Sequence, residues 1–224
     1  MGQTIGDVLP LAVGVAISPI PVIGVILMLL SGRARANSLA FLFGWIAGIV
    51  ATCAFFVWLA GTQDLSTGGQ PSTLSSSIKL ILGLLLLLAG VKQWQGRPET
   101  GAEAKMPGWM KRIDSLTPAA ALGLGVLLSA VNPKNLLLIV GAAVTIAQAS
   151  LSTTDDAITI AVFTVVGASM VALPTLTYLI MGERAQPSLD RAKSWLSVNN
   201  TAVMAVLFLV FGFTLLGNGL GGLL

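Results

Sequence analysis

Asn132, Pro133, Lys134 and Asn135 follow one another inside an apolar run, Leu127–Val144, and Ser18, Pro19 and Pro21 interrupt another near the start of the chain. A proline within a helix brings no N–H, so the carbonyl four residues earlier loses its donor. In hydrocarbon, backbone opened this way is tolerated only where protein or a water-filled cavity covers it. The chemistry offered by these seven residues is therefore binding. The prolines open carbonyls, the asparagines and the serine exchange hydrogen bonds, and Lys134 contributes positive charge. We read all seven as the candidate substrate-binding set.

Lys134 is the sharpest of them. An isolated charge deep in a span costs at least ~2.5–3.5 kcal/mol on insertion scales. No Asp or Glu lies in the interior of any apolar run to offset it. Three roles stay open at this point: snorkelling to an interface, donating to carbonyls freed by the broken helices, or facing a cavity that takes an anionic group. In the last role the lysine would also be the one intramembrane candidate for carrying a proton.

The elements that must position these residues follow from composition. Of 224 residues 55% are hydrophobic and 9% charged, with a mean hydropathy of +0.90, whereas a soluble domain carries about 25% charged residues. Six apolar segments, each long enough for a bilayer, cover about Val8–Leu30, Ser38–Ala60, Ser77–Gln95, Pro118–Ala147, Ala157–Met181 and Val198–Gly217. The fourth is longer than one straight span needs, which a break at Pro133 accommodates. The opening residues lack a basic leader and read as a retained first span rather than a removed signal.

Basic residues set the orientation. Ten of the twelve Lys and Arg residues fall on the first, third and fifth connections; the exceptions are Lys79, just inside the third span, and Lys134. The second and fourth connections carry Asp64, Asp155 and Asp156. Cytoplasmic loops hold the Lys/Arg excess, so the expectation is a multi-pass plasma-membrane protein with both termini outside the cytoplasm. The polar third connection, 96–117, reads as a cytoplasmic linker. Its end, "GWMKRIDSL", offers a second reading as a surface helix with Trp109 and Met110 on lipid and Lys111 and Arg112 at anionic headgroups.

That connection separates three spans, 1–95, from three more, 118–224, so the second group enters the membrane from the opposite side. The fold class expected is an all-α integral membrane protein. Its six transmembrane helices form two inverted three-helix repeats, with helices 1 and 4 broken at the proline motifs. "SPIP" at Ser18–Pro21 answers "NPKN" at Asn132–Asn135. "LGLLLLLAG" at Leu82–Gly90 answers "VFGFTLLGNG" at Val210–Gly219, and "FGWIAGIVA" at Phe43–Ala51 answers "VVGASMVA" at Val165–Ala172. Gly44 and Gly48 have the GxxxG spacing of close helix approach. Thr52, Thr164, Ser169, Thr175 and Thr177 read as helix–helix contacts, Pro174 as a bend in span five, and Trp94, Trp109 and Trp195 as interfacial anchors.

One cysteine, Cys53, and no histidine exclude a disulfide framework within this sequence, a paired-thiol redox centre and the commonest metal ligand. No cofactor and no nucleic-acid partner are expected. No nucleophile–base pair can be assembled from these spans, so no enzyme is expected either. A nucleotide-binding signature is missing as well, which points to proton motive force as the driver.

The proline-bearing first span "ISPIPVIGVILMLL", the basic turn "SGRARANSLAFLFGWIAG" and the fourth-span "NPKN" together resemble the lysine-exporter (LysE) superfamily of six-span proteins. The first hairpin is most similar to its actinobacterial lipid-addressing branch, the GAP or Sap-like proteins. That resemblance implies moving a glycolipid, such as sulfolipid or glycopeptidolipid, across the plasma membrane, beside a larger lipid transporter. Other branches export amino acids or metal ions, or carry electrons through paired cysteines, which this chain lacks. Two alternatives stand beside glycolipid export: an amino-acid or other small-solute exporter using Lys134 on a carboxylate, and a non-transporting scaffold for a lipid synthase or larger pump. Membrane lipids are implied partners in each case, and the small residues in the spans suit a homodimer.

Overall fold

The computed structural model describes residues 1–62, 66–67, 70–96, 110, 113 and 115–223. Among these residues eight α-helices carry the fold: α1 (Gly2–Ala16), α2 (Pro19–Leu29), α3 (Ala34–Gly61), α4 (Thr73–Gln95), α5 (Pro118–Ala130), α6 (Pro133–Gln148), α7 (Thr153–Met181) and α8 (Gln186–Gly221). A two-residue antiparallel pair, Ser66–Thr67 with Gln70–Pro71, lies between α3 and α4. The protein is embedded in a membrane. Ala34–Gly61, Thr73–Gln95 and Thr153–Gly221 are each long and apolar enough to cross one, and the number rises to five if each of the two bent pairs is one span. Six spans were expected; α7 and α8 count as one stretch because helical structure runs on between them through a tight turn at Gly182–Ala185.

Both expected breaks are present. α1 and α2 meet at 53°, and α5 and α6 at 61°. In each case the second helix starts with proline at its first turn, Pro19 or Pro133, where a missing N–H costs nothing. The residue before a proline is driven out of the helical region, and Ser18 and Asn132 are accordingly extended. Pro10 and Pro174, by contrast, lie inside continuous helices, so span five is not divided.

Glycines set how closely the helices approach. Packing within a membrane gains little from the hydrophobic effect and relies on close contact between small residues. α4 and α8 run antiparallel with Gly83 against Gly212; Gly90 meets Ala205 and Phe208, and Gly219 meets Ser76 and Leu80. A Cβ on Gly83 would come within 2.8 Å of the Gly212 carbonyl oxygen. The expected GxxxG contact forms between α3 and α5, where Gly44 and Gly48 face the backbone of Leu122 and Val126, and Gly125 faces Phe41. α1 and α6 cross antiparallel, Gly14 against Leu138 and Gly141 against Leu11. Further packing joins α1 to α7, α3 to α6 and α7, and α2 to α3, α7 and α8. The core between them holds Phe41, Trp45 and Phe163, all fully buried.

Several local expectations need correction. α8 begins twelve residues before the apolar window, because Gln186–Ser197 are polar yet helix-compatible and hydropathy does not see them. Met110 was placed on lipid in the surface-helix reading, but it and Ile113 are buried in the protein core. Hydropathy windows are blind to two isolated apolar residues anchoring a polar loop. Trp109, Lys111 and Arg112 lie outside the described residues. Thr164, Ser169, Thr175 and Thr177 each donate the hydroxyl to a carbonyl three or four residues back in α7, and of the four Thr164 and Thr175 are buried in the packing. Trp94 and Trp195 are more than half exposed, as interfacial anchors require.

Candidate functional site

The two helix breaks meet in the interior, where backbone accounting explains the arrangement. The carbonyls of Val15 and Ile17 would accept from the N–H groups of residues 19 and 21, which are prolines and have none. Gly14 would pair with the N–H of Ser18, but that group turns to Ala16 at 2.8 Å. Three carbonyls at the end of α1 therefore lack backbone donors, in a buried position where an unmet acceptor costs about 1–3 kcal/mol.

Side chains meet all three. Lys134 Nζ donates to the carbonyl oxygens of Gly14 at 2.7 Å and Ile17 at 2.9 Å, and to Ser18 Oγ at 2.6 Å. The Ser18 hydroxyl lies 2.8 Å from the Val15 carbonyl and 3.1 Å from Asn135 Oδ1, and shares its one hydrogen between them. Asn135 in turn donates from Nδ2 to the Leu128 carbonyl of α5 at 3.1 Å. An ammonium has three donors, and all three of Lys134's are in use.

Of the seven residues singled out in sequence, Ser18, Lys134 and Asn135 form one hydrogen-bonded cluster linking the two breaks. Pro19 and Pro21 create two of the three acceptors that the cluster fills, and the turned N–H of Ser18 leaves the third at Gly14. Asn132 works locally, accepting from the Lys134 N–H at 3.1 Å as the cap of α6, where a capping side chain is worth about 1 kcal/mol. Pro133 is exposed and contributes the break alone. Ser18, Lys134 and Asn135 are 2%, 3% and 0% exposed. Snorkelling is thus overturned for Lys134: its stem runs inward to the other break. In this conformation the lysine ties off opened backbone, and the backbone belongs to the opposite half.

Two further contacts escaped sequence reasoning. Lys79 is 7% exposed, with Nζ 2.6 Å from Gln148 Oε1, tying α4 to the end of α6. It is a second buried lysine, and the one available signal was its departure from the alternating charge pattern. Trp45 donates from Nε1 to the Gly167 carbonyl at 3.3 Å, joining α3 to α7; a tryptophan away from the span ends was its signal.

Comparison with known proteins then identifies the family. Residues 8–221 match the family model described as Sap, sulfolipid-1-addressing protein, and the chain belongs to that family. Searches of curated proteins and of solved structures return no match.

Proposed function

We propose that this Sap-family membrane protein is a transporter, or a transport accessory, that exports or addresses a glycolipid across the plasma membrane. The single observation carrying this reading is the cluster of Lys134, Ser18 and Asn135, which spans two broken helices at the centre of the molecule. Broken helices facing each other at mid-membrane are where secondary transporters bind substrate. In the resting state the protein's own acceptors occupy Lys134. Rocking apart of the two halves would free an ammonium together with the Gly14 and Ile17 carbonyls and the Ser18 hydroxyl, for a head group with anionic and hydroxyl parts.

The architecture proposed is six spans in two inverted repeats, 1–95 and 118–224, joined by 96–117, as in the LysE superfamily. Helical structure over Thr153–Gly221 covers 69 residues, about 100 Å at 1.5 Å per residue, against ~30 Å of hydrocarbon. Gly182, with φ of 59°, supplies the turn that would divide it. Exchanging α1 with α5, α2 with α6, α3 with α7 and α4 with α8 also maps most close pairings onto one another. α3 on α5 becomes α7 on α1, α3 on α6 becomes α7 on α2, and α2 on α8 becomes α6 on α4. The glycines agree, since Gly83 and Gly90 are seven apart, as are Gly212 and Gly219. The alternating basic loops support cytoplasmic placement of the first, third and fifth connections. A homodimer and a larger lipid transporter remain the proposed partners.

The test is export from cells or vesicles carrying Lys134→Met, at matched abundance. Loss of glycolipid export with partner binding intact supports the reading. Unchanged export would overturn it in favour of a scaffold, and export of labelled amino acids instead of glycolipid would replace the substrate class.

A further inference from the structure

The seam between α1 and α6 continues past the central cluster. Lys134, Leu138, Gly141 and Gln148 follow at helical spacing and share one face of α6. From Lys134 to Gln148 that face runs about 21 Å at 1.5 Å per residue, against ~15 Å for half of the hydrocarbon. Between its two polar ends lies an apolar layer. Leu138 and Phe211 fill the space that Gly14 leaves, and Leu11 and Leu215 close over Gly141; all four side chains are buried. Beyond the layer, the ammonium of Lys79 on α4 donates to Gln148. Lys134 uses all three of its donors, but Lys79 has this one neutral acceptor among the described residues. Asp7 of α1 attracts it from beyond ion-pair distance. Ser76, one turn earlier on α4, is fully buried, and its hydroxyl has no partner among the described residues.

We infer that the α1–α6 seam is the outer gate of the transport path, shut here by the layer of Leu11, Leu138, Phe211 and Leu215 and latched by Lys79 on Gln148. Two observations support a seam that parts. The exchange of halves that maps most other close pairings sends α1 on α6 to α5 on α2, and those two helices share no comparable seam among the described residues. Rocking of one inverted repeat against the other breaks symmetry in this way, closing one such pairing while its counterpart is apart. The latch is also cheap to break. Opening costs Lys79 one hydrogen bond and gives water to its two remaining donors and to the Ser76 hydroxyl, which are unmet while the seam is shut. On the proposed orientation α6 runs from mid-membrane to the outer face, so the gate leads from the central cluster to the outside. This inference rests on the transport reading, and opening can be measured without transport.

The test uses the full chain in right-side-out membrane vesicles, with Leu11→Cys as a reporter thiol beneath the latch. A charged, membrane-impermeant methanethiosulfonate is added outside and labelling is followed by mass; the native Cys53 is buried and gives the background. Labelling of the reporter should be slow. Lys79→Met and Gln148→Leu should each raise its rate by about tenfold or more, the change that loss of one charge-assisted hydrogen bond commands. The two together should exceed neither by much, since they break one bond. Gly44→Ala strains the distant α3–α5 contact and should leave the rate as it was. An equal rise in that control would mean general loosening and would overturn the latch, as would an unchanged rate in both latch variants. Labelling that proceeds from the cytoplasmic side instead would overturn the outer placement. Latch-dependent labelling in a protein that exports nothing would refute transport and leave the seam a moving part. Export lost through Lys134→Met, with labelling indifferent to the latch, would do the reverse.

Discussion

Removing Lys134 and Ser18 singly and together tests the central cluster most directly. Lys134→Met keeps a long flexible side chain and deletes the ammonium. Gly14 and Ile17 then keep unmet carbonyls, because one natural donor is turned to Ala16 and the other is missing at Pro21. Two unmet acceptors cost about 2–6 kcal/mol, and relief from burying the lysine returns ~2.5–3.5 kcal/mol. The net change therefore lies between about −1.5 and +3.5 kcal/mol, so the variant should fold. Ser18→Ala uncovers the Val15 carbonyl, at about 1–3 kcal/mol, and takes from the ammonium one of its three acceptors, at about 1.5–3 kcal/mol. In the double variant that second cost vanishes, since no ammonium is left to deprive. The pair should thus be less destabilising than the sum of its members by about 1.5–3 kcal/mol. Reversible unfolding in mixed micelles, followed by the fluorescence of the buried Trp45, measures all three variants. Additivity within ~0.5 kcal/mol would refute the tie between the lysine and the opened backbone.

Pro21→Ala restores an N–H four residues after Ile17, so in the Lys134→Met background it should recover about 1–3 kcal/mol of unfolding free energy by giving that carbonyl a donor; no gain over the single variant would sink the carbonyl accounting. Gly44→Ala drives a Cβ onto the Leu122 carbonyl and should cost about 1–3 kcal/mol through overpacking, while Gly123→Ala, with open space around it, should be neutral; equal melting temperatures for the two would count against the close α3–α5 contact. Lys79→Met should destabilise by about 1–3 kcal/mol by leaving Gln148 without its donor, and Gln148→Leu combined with it should add little further, again read by unfolding in micelles.

Much of the site was legible because prolines and charges in hydrocarbon are expensive and therefore informative. The arithmetic of four residues from Pro19 and Pro21 already marks Val15 and Ile17 as orphans. What it could not supply was the donor. Lys134 lies more than a hundred residues away, and only the crossing of α1 and α6 brings it there. The turning of Ser18's N–H to Ala16, which releases Gly14, is a local geometric choice that no residue type dictates. The paired glycine blocks in α4 and α8 were visible, but their partnership was not, since like spacing does not name the partner. Met110 and Ile113 were missed for a different reason: a polar, glycine-bearing loop conceals two anchors from any average over a window.

The two breaks are not equivalent, and the difference bears on what could enter. The first carries two prolines and three carbonyls that lack backbone donors and are met by side chains. The second carries one proline and a local asparagine cap. Counted from the first proline of each motif, the position of Lys134 is taken in the first half by Ile20. One half therefore holds the cation and the other holds its acceptors, so moving the halves apart exposes opposite needs on opposite walls. A sugar with an anionic substituent meets both, but so does a zwitterionic amino acid. Access separates them. Around the second break Leu127 and Val131 are 53% and 62% exposed, on a face that borders lipid in a membrane-embedded protein. A lipid's chain can remain in the bilayer there while its head enters sideways, a route that an amino acid does not need. Val131→Trp narrows that face without touching the cluster. It should lower glycolipid export several-fold and leave any small-solute flux as it was, at unchanged stability, as a bulky side chain facing lipid adds no internal clash. Equal effects on both fluxes, or none on the glycolipid, would refute sideways entry at this break.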